Sequence, residues 1–185
     1  FILIGYLAYH AGITEALFDA AKKWMGWMPG GLAIATVFAV AAFSAVSGAS
    51  TAAAAVFARV AIPEMLKAGY AKRLAAGVVC AGGTLDALIP PSVIMVVYAI
   101  IVEASVGKLI IAGFIPGLIS ALCYTLIIVV WSVWKPDIGQ PIKGYTWGQR
   151  WRSVPGTIPV LGVIVIIFSA MYYGWATPTE AGALG

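Results

Sequence analysis

Residues 82 to 92 read GGTLDALIPPS in the middle of a run, Leu74 to Val102, that is otherwise apolar enough to cross a membrane. Continuous helix cannot pass through them. Two adjacent glycines lose backbone entropy in a helix, and Pro90 and Pro91 remove two amide donors and push the preceding backbone toward extended geometry. Backbone groups are left open at membrane depth. That is tolerated only where the backbone is buried in protein or lines a polar cavity, and transporters use such breaks to hold ions and substrates.

The composition places the chain in a bilayer: 62% of its 185 residues are hydrophobic and 10% charged, with a mean hydropathy of +1.00. Soluble domains do not reach these values. An all-α membrane protein is expected. The formal charge of +4 sits in separated loops and not along one polar face, so membrane topology accounts for it and nucleic acid does not. Cys80 and Cys123 lie in apolar runs, where a thiol packs as a small hydrophobe, and give no disulfide or metal signal. Neither a cofactor nor a metal site is expected. His10, the only histidine, follows a span end and reads as an interfacial residue. Beginning at Phe1 and stopping inside an apparent helix start, the chain reads as an internal piece of a longer membrane protein, with residues 1–9 finishing an earlier span.

Residues 14–28 place Leu17, Phe18, Ala21, Trp24, Met25 and Met28 at helical spacing with Glu15, Asp19, Lys22 and Lys23 opposite. This predicts an interfacial amphipathic helix with Thr14 capping its start. Residues 32–58 carry no charge and would make one helix about 40 Å long, against a hydrocarbon core of about 30 Å. SGAS, Ser47 to Ser50, interrupts them. A re-entrant helical hairpin that turns there and leaves on its own side fits the length. It also keeps every Lys and Arg except Lys108 on one side, which the positive-inside tendency makes cytoplasmic.

Residues 71–102 then form a discontinuous transmembrane helix, with halves at roughly 71–81 and 91–102. Residues 105–134 hold a short helix through Ala112, started by Ser105, and a full span from Phe114. A cytoplasmic connection follows at 135–155, a transmembrane helix at 157–175, and a new helix start at 178–185, where TPTE offers Thr177 as cap, Pro178 at the first position and Glu180 closing a capping box. All seven tryptophans fall at the borders of these runs, as interfacial anchors do.

Two breaks about 35 residues apart can meet near the midplane. Half-helix amino ends suit a carboxylate substrate, and free carbonyls suit a cation. Ser47, Ser50, Thr51, Thr84 and Ser92 add hydroxyl oxygens, the ligands a hard cation such as sodium prefers. Asp86 is the one carboxylate inside an expected span. It reads as an ion or coupling site, or as a group satisfying the broken backbone. Small residues at SGAS also have a purely structural reading, close helix packing.

The ordered set SGAS, IPEMLKAGY at 62–70, AGGTLDALIPPS at 81–92, GKLIIAGFIPGL at 107–118 and TPTEAGALG at 177–185 resembles the large (DctM-type) membrane permease subunit of tripartite ATP-independent periplasmic (TRAP) transporters. The similarity covers essentially the whole chain. It implies an elevator-type secondary transporter of two inverted repeats, of which this chain holds most of the first, in a bacterial or archaeal cytoplasmic membrane. It implies sodium-coupled import of an organic acid such as a C4-dicarboxylate or sialic acid, with a small membrane subunit and a periplasmic substrate-binding protein as partners.

Carried over by position, Ser47, Gly48, Ser50, Gly82, Gly83 and Thr84 would form a sodium site, much of it through backbone carbonyls. Ser50, Pro90, Pro91 and Ser92 would line the substrate. The family often has glycine at Asp86. Two other classes remain: a channel lined by the discontinuous helix, and an intramembrane hydrolase using Asp86. The second is weak because no second carboxylate, nucleophile motif or metal-ligand pair stands at workable spacing. No enzymatic activity is expected.

Overall fold

A computed structural model describes residues 7, 9–48, 50–89, 92–141, 145–173, 175 and 180. The described residues are mostly helical and include no strand. The helix start expected at 178–185 lies outside them, apart from Glu180.

The amphipathic helix α1 spans Ile13–Met25, with Glu15 in its first turn and Lys22 and Lys23 in its last. Both placements complement the helix dipole. It turns Leu17 and Phe18 inward against α2, the helix that follows. Thr14 does not cap it. Gly12, at φ 73°, takes the N-cap position with no side-chain bond, and Thr14 is fully buried, its hydroxyl unpartnered.

Helix α2, Gly31–Ser47, has no charged residue and buries 14 of its 17 residues. A helix apolar on every side belongs at the centre of a bundle, and α2 touches α1 and most of the helices that follow. It ends at Gly48, whose φ of 58° is left-handed, a conformation glycine adopts without steric cost. Helix α3, Ser50–Lys67, then doubles back. Phe43 and Phe57 meet edge to face with centroids 5.7 Å apart, and Thr36 Oγ1 lies 3.9 Å from Met65 Sδ. These pairs stand at matching distances from the turn, so the arms are antiparallel. In a bilayer such a contact is held by packing density, since lipid tails are as apolar as the partner helix.

The hairpin is longer than its expected end at residue 58, because α3 continues through Pro63. Proline removes the amide that would bond the Arg59 carbonyl. Pro63 faces outward while Ala61 and Met65 face the core, so the loss falls on the exposed side. The same reasoning applies to α6, Val106–Trp134, which passes through the exposed Pro116 as one 29-residue helix and replaces the short helix and span expected over 105–134. Ser105 stands at its N-cap but makes no side-chain cap bond. Among the described residues α6 is the one helix long and apolar enough to cross a membrane.

Between them lie α4, Lys72–Leu85, and α5, Val93–Ile101. Helix α4 runs antiparallel to α3 and parallel to α2: Gly82 lies against Val40 on α2, Gly83 against Ala54 on α3. After α6 come a 3-10 turn, Pro136–Ile138, the short helix α7, Trp147–Ser153, a second 3-10 turn, Val154–Thr157, and α8, Ile158–Tyr172. Thr146 and Gln149 form a capping box on α7, and Trp151 and Trp147 pack edge-on against Trp24 of α1. Cys80 and Cys123 are free thiols exposed on helix surfaces.

The open end of the hairpin is stitched down. Tyr70, in the turn after α3, accepts the Leu32 amide at 3.2 Å and donates to the Gln140 carbonyl at 2.9 Å. Ala71 and Gly30 donate backbone amides to Ile138 and Gly139, each at 3.2 Å. Burial pushes the Tyr70 phenol above its usual pKa, and the Leu32 amide offsets only part of that. Lys22 on α1 reaches Glu64 on α3 at 2.9 Å, and Lys67 stands 3.5 Å from the same carboxylate.

Candidate functional site

The break lies between α4 and α5, past Leu85, and starts later than the glycine pair suggests. Gly82 and Gly83 remain inside α4. There they act through the absence of a side chain: a Cβ on Gly82 would stand 3.1–3.2 Å from Val40, and one on Gly83 would stand 3.2 Å from the Ala54 Cβ and 3.7 Å from the Ser50 carbonyl. The glycines let α4 lie close against both hairpin arms. Past Leu85 the ladder changes, because the amides of Asp86 and Ala87 turn to the Thr84 carbonyl. In a continuous α-helix those amides would serve Gly82 and Gly83.

Helix α5 restarts with buried Ser92 as its N-cap, the hydroxyl accepting the Met95 amide at 3.5 Å. One residue on, the Val93 amide donates to the Gly48 carbonyl at 3.4 Å. The hairpin tip and the break are therefore in direct contact, and the structure brings together Gly48, Ser50, Gly83 and the start of α5. Thr84 is different. Its hydroxyl bonds back to Ala81 O at 2.7 Å and meets the Tyr124 hydroxyl of α6 at 3.0 Å, so the side chain faces away from the hairpin. Pro90 and Pro91 lie outside the described residues.

Beneath the tip lies a group of buried polar side chains. Asp86 is 1% exposed and Ser44 and Ser47 are 0% exposed, and none of their oxygens has a partner within 3.5 Å. Ser44 is nonetheless the side chain placed to bond the Asp86 carboxyl; both residues stand one turn along from the Val40–Gly82 contact. Elsewhere buried hydroxyls are satisfied by the helix itself: Thr36 bonds to Leu32 O at 2.9 Å and Thr125 to Ala121 O at 2.8 Å. An unpaired buried hydroxyl costs about 1–3 kcal/mol and an unpaired ionised carboxylate several.

Sequence reading missed Ser44. The available signal was its i, i+3 spacing to Ser47 in a helix without charges. Among the described residues no three His, Cys, Asp or Glu side chains gather as a metal-binding group.

A helical arrangement of the described residues, with one helix long and apolar enough to cross a bilayer, fits a membrane protein. The profile of the tripartite ATP-independent periplasmic transporter DctM component matches residues 1–185, and the chain belongs to that family. It is 40% identical over 185 residues to the C4-dicarboxylate TRAP transporter large permease protein DctM of Pseudomonas aeruginosa, covering 100% of this chain and 43% of that protein. To its counterpart in Vibrio cholerae it is 38% identical over 184 residues, 100% of this chain and 40% of the relative. With the sialic acid TRAP transporter large permease protein SiaM of Vibrio cholerae the figures are 33% over 184 residues, 100% and 43%. The chain thus spans about two fifths of the length of the curated relatives it matches. These relatives are named as transporter permeases.

Proposed function

We propose that the full-length protein is the permease subunit of a secondary transporter that imports an organic acid down a sodium gradient across a bacterial or archaeal cytoplasmic membrane. A C4-dicarboxylate is the favoured substrate, because the two relatives named for that class are 40% and 38% identical, against 33% for the sialic acid permease. A periplasmic binding protein delivers the acid, and a small membrane subunit completes the permease. The described hairpin is re-entrant, the chain forms most of the first of two inverted repeats, and the hairpin moves with the broken helix as an elevator.

The observation that carries this reading is the junction of tip and break through Val93 N and Gly48 O. A carbonyl already turned toward the break, with the Gly82 and Gly83 carbonyls relieved of their amides by Thr84, is the donor set a hard cation uses. Sodium sits among Ser47, Gly48, Ser50 and the carbonyls of Gly82 and Gly83, while the Thr84 carbonyl is already taken by two amides. Ser50, Pro90, Pro91 and Ser92 line the substrate carboxylate, as the family resemblance implies, at the amino end of α5, whose dipole favours an anion. Seating the cation also fixes the tip against the break, so substrate binding gains from an ordering already made.

Proteoliposomes holding the full-length permease with its small subunit and binding protein test this. Saturable succinate uptake that requires an inward sodium gradient is the expected result. Uptake indifferent to sodium, or a current that rises with voltage and never saturates, would sink the proposal.

A further inference from the structure

The antiparallel helices α4 and α6 leave a groove between them on the surface of the bundle. It holds about 280 Å³, and its walls include Arg73, Gly77 and Ala81 on α4 and Tyr124, Ile127 and Trp131 on α6. One end is shut by the contact of the Thr84 and Tyr124 hydroxyls at 3.0 Å. The other is flanked by Arg73 and Trp131, and Arg73 is the only charged side chain among the described lining residues. It is exposed in the first turn of α4, next to exposed Lys72, and among the described residues it makes no ion pair. Gly77 lies half way along. A Cβ there would meet nothing within 4 Å, unlike one on Gly82 or Gly83, so no described neighbour accounts for a residue that weakens a helix.

We infer that the groove seats one acyl chain of an anionic phospholipid of the cytoplasmic leaflet, with the lipid phosphate on Arg73. Length, polarity and level agree. From Arg73 to Ala81 the groove runs about 12 Å at the helical rise, against about 15 Å for one leaflet of a hydrocarbon core about 30 Å thick. A helix is about 10–12 Å across with its side chains and does not enter a space this small, whereas a single hydrocarbon chain does. The mouth stands where headgroups stand. Arg73 opens α4 on the side that the positive-inside tendency makes cytoplasmic, and Trp131 is one turn from the end of α6, the level of an interfacial aromatic.

Arginine grips phosphate through paired N–H donors and keeps its charge. Basic side chains between helices at the cytoplasmic surface favour an anionic head, because a zwitterionic one brings its own cation beside Arg73 and Lys72. A chain seated here packs the open Gly77 face of α4 and joins it to α6, a lateral support for the first half of the broken helix that the described residues do not supply. The inference goes beyond the transport reading and needs only that α6 spans the bilayer.

The test uses the full-length permease with its small subunit in phosphatidylcholine vesicles that contain a trace of phosphatidylglycerol bearing a photoreactive diazirine midway along one chain. Peptide mapping after illumination reads where that chain lies. Adducts are expected at residues 77–81 and at Ile127, and they should fall in a saturable manner as unlabelled phosphatidylglycerol replaces phosphatidylcholine. Leu126 and Val133 are exposed half a turn round α6 from the groove. They meet the probe from bulk lipid, and their labelling should not change. Arg73→Gln should raise the half-competing fraction of phosphatidylglycerol about ten-fold, the loss of a hydrogen-bonding partner to a charged group. Gly77→Leu, which fills the groove, should abolish the adducts there and keep those at Leu126.

Groove labelling that unlabelled phosphatidylglycerol does not displace means bulk lipid alone and overturns the site. Strong labelling at Leu126 with none in the groove overturns it too, and points to a protein neighbour as the occupant. An Arg73→Gln curve that coincides with wild type removes the phosphate contact and with it the inference. The first two outcomes are read on wild-type protein, so a variant that fails to fold does not shelter the site. None of them involves sodium or uptake: failure here leaves the transport reading standing, and failure of sodium-driven uptake leaves the lipid site.

Discussion

The two ends of the helical hairpin handle their polar atoms in opposite ways. At the open end Tyr70 has both an amide and a carbonyl partner, the neighbouring amides reach Ile138 and Gly139, and Lys22, Glu64 and Lys67 pair across helices. At the tip Ser44, Ser47 and Asp86 are more deeply buried, and none of their oxygens has a partner within 3.5 Å. Similar chemistry is thus committed to structure at one end and left open at the other. Buried unpaired polar groups lower stability, so the end that retains them is the end where a ligand is expected.

That contrast can be broken from either side. The largest effect should come from Asp86→Asn. In the full-length transporter it is expected to raise the half-saturating sodium concentration for uptake by at least about ten-fold, the loss of a charged ligand. An unchanged sodium curve would return Asp86 to a structural role. Next is Gly83→Val. A side chain at a point already 3.2 Å from Ala54 must push α4 off the hairpin, and overpacking of this kind costs about 1–3 kcal/mol. Thermal unfolding should show the loss together with reduced uptake; full stability would mean that the helices are not held close at the glycines.

Tyr70→Phe should cost about 1–3 kcal/mol of stability, because it strands the buried Leu32 amide. Its half-saturating sodium concentration should match wild type.

The smallest effect is the pH dependence of the Lys22–Glu64 pair. The Lys22 hydrogen bond, then its charge, holds the Glu64 carboxyl below its ordinary pKa. Burial lowers Lys22, but the Glu64 hydrogen bond and the charges of Tyr145, Glu64 and Asp19 outweigh it and leave it raised. The Glu64 contribution is therefore present above the unfolded carboxylate pKa and lost as pH falls through the lowered folded value. Lys22 contributes below the unfolded lysine pKa and loses that as pH rises through its raised folded value. Glu64 is 37% exposed, so the pair is worth less than about 1 kcal/mol. A melting-temperature profile across acid pH should show a step that disappears in Lys22→Ala.

Much of this was legible in the residues. An uncharged run too short for two spans, split by SGAS, gives a hairpin by length alone, and paired prolines after paired glycines give a break. The direction of individual side chains was not legible. Gly82 and Gly83 look like helix breakers in sequence, yet neighbours at Val40 and Ala54 make them packing residues and move the break to Asp86. Thr84 looks like a ligand, but helical rotation points it at Tyr124. Pro63 and Pro116 look like boundaries, and both are passed because they face outward. Ser44 is hidden in an apolar helix until the register with α4 places it beside Asp86. Each of these depends on which neighbour is opposite, a tertiary fact that local pattern does not encode.

The most direct test sets the two ends of the hairpin side by side: the half-saturating sodium concentration for succinate uptake by the full-length transporter, in Ser47→Ala and in Tyr70→Phe. The tip variant should need about ten-fold more sodium and the other should match wild type. Equal shifts in both, or none in either, would contradict the assignment of function to the tip.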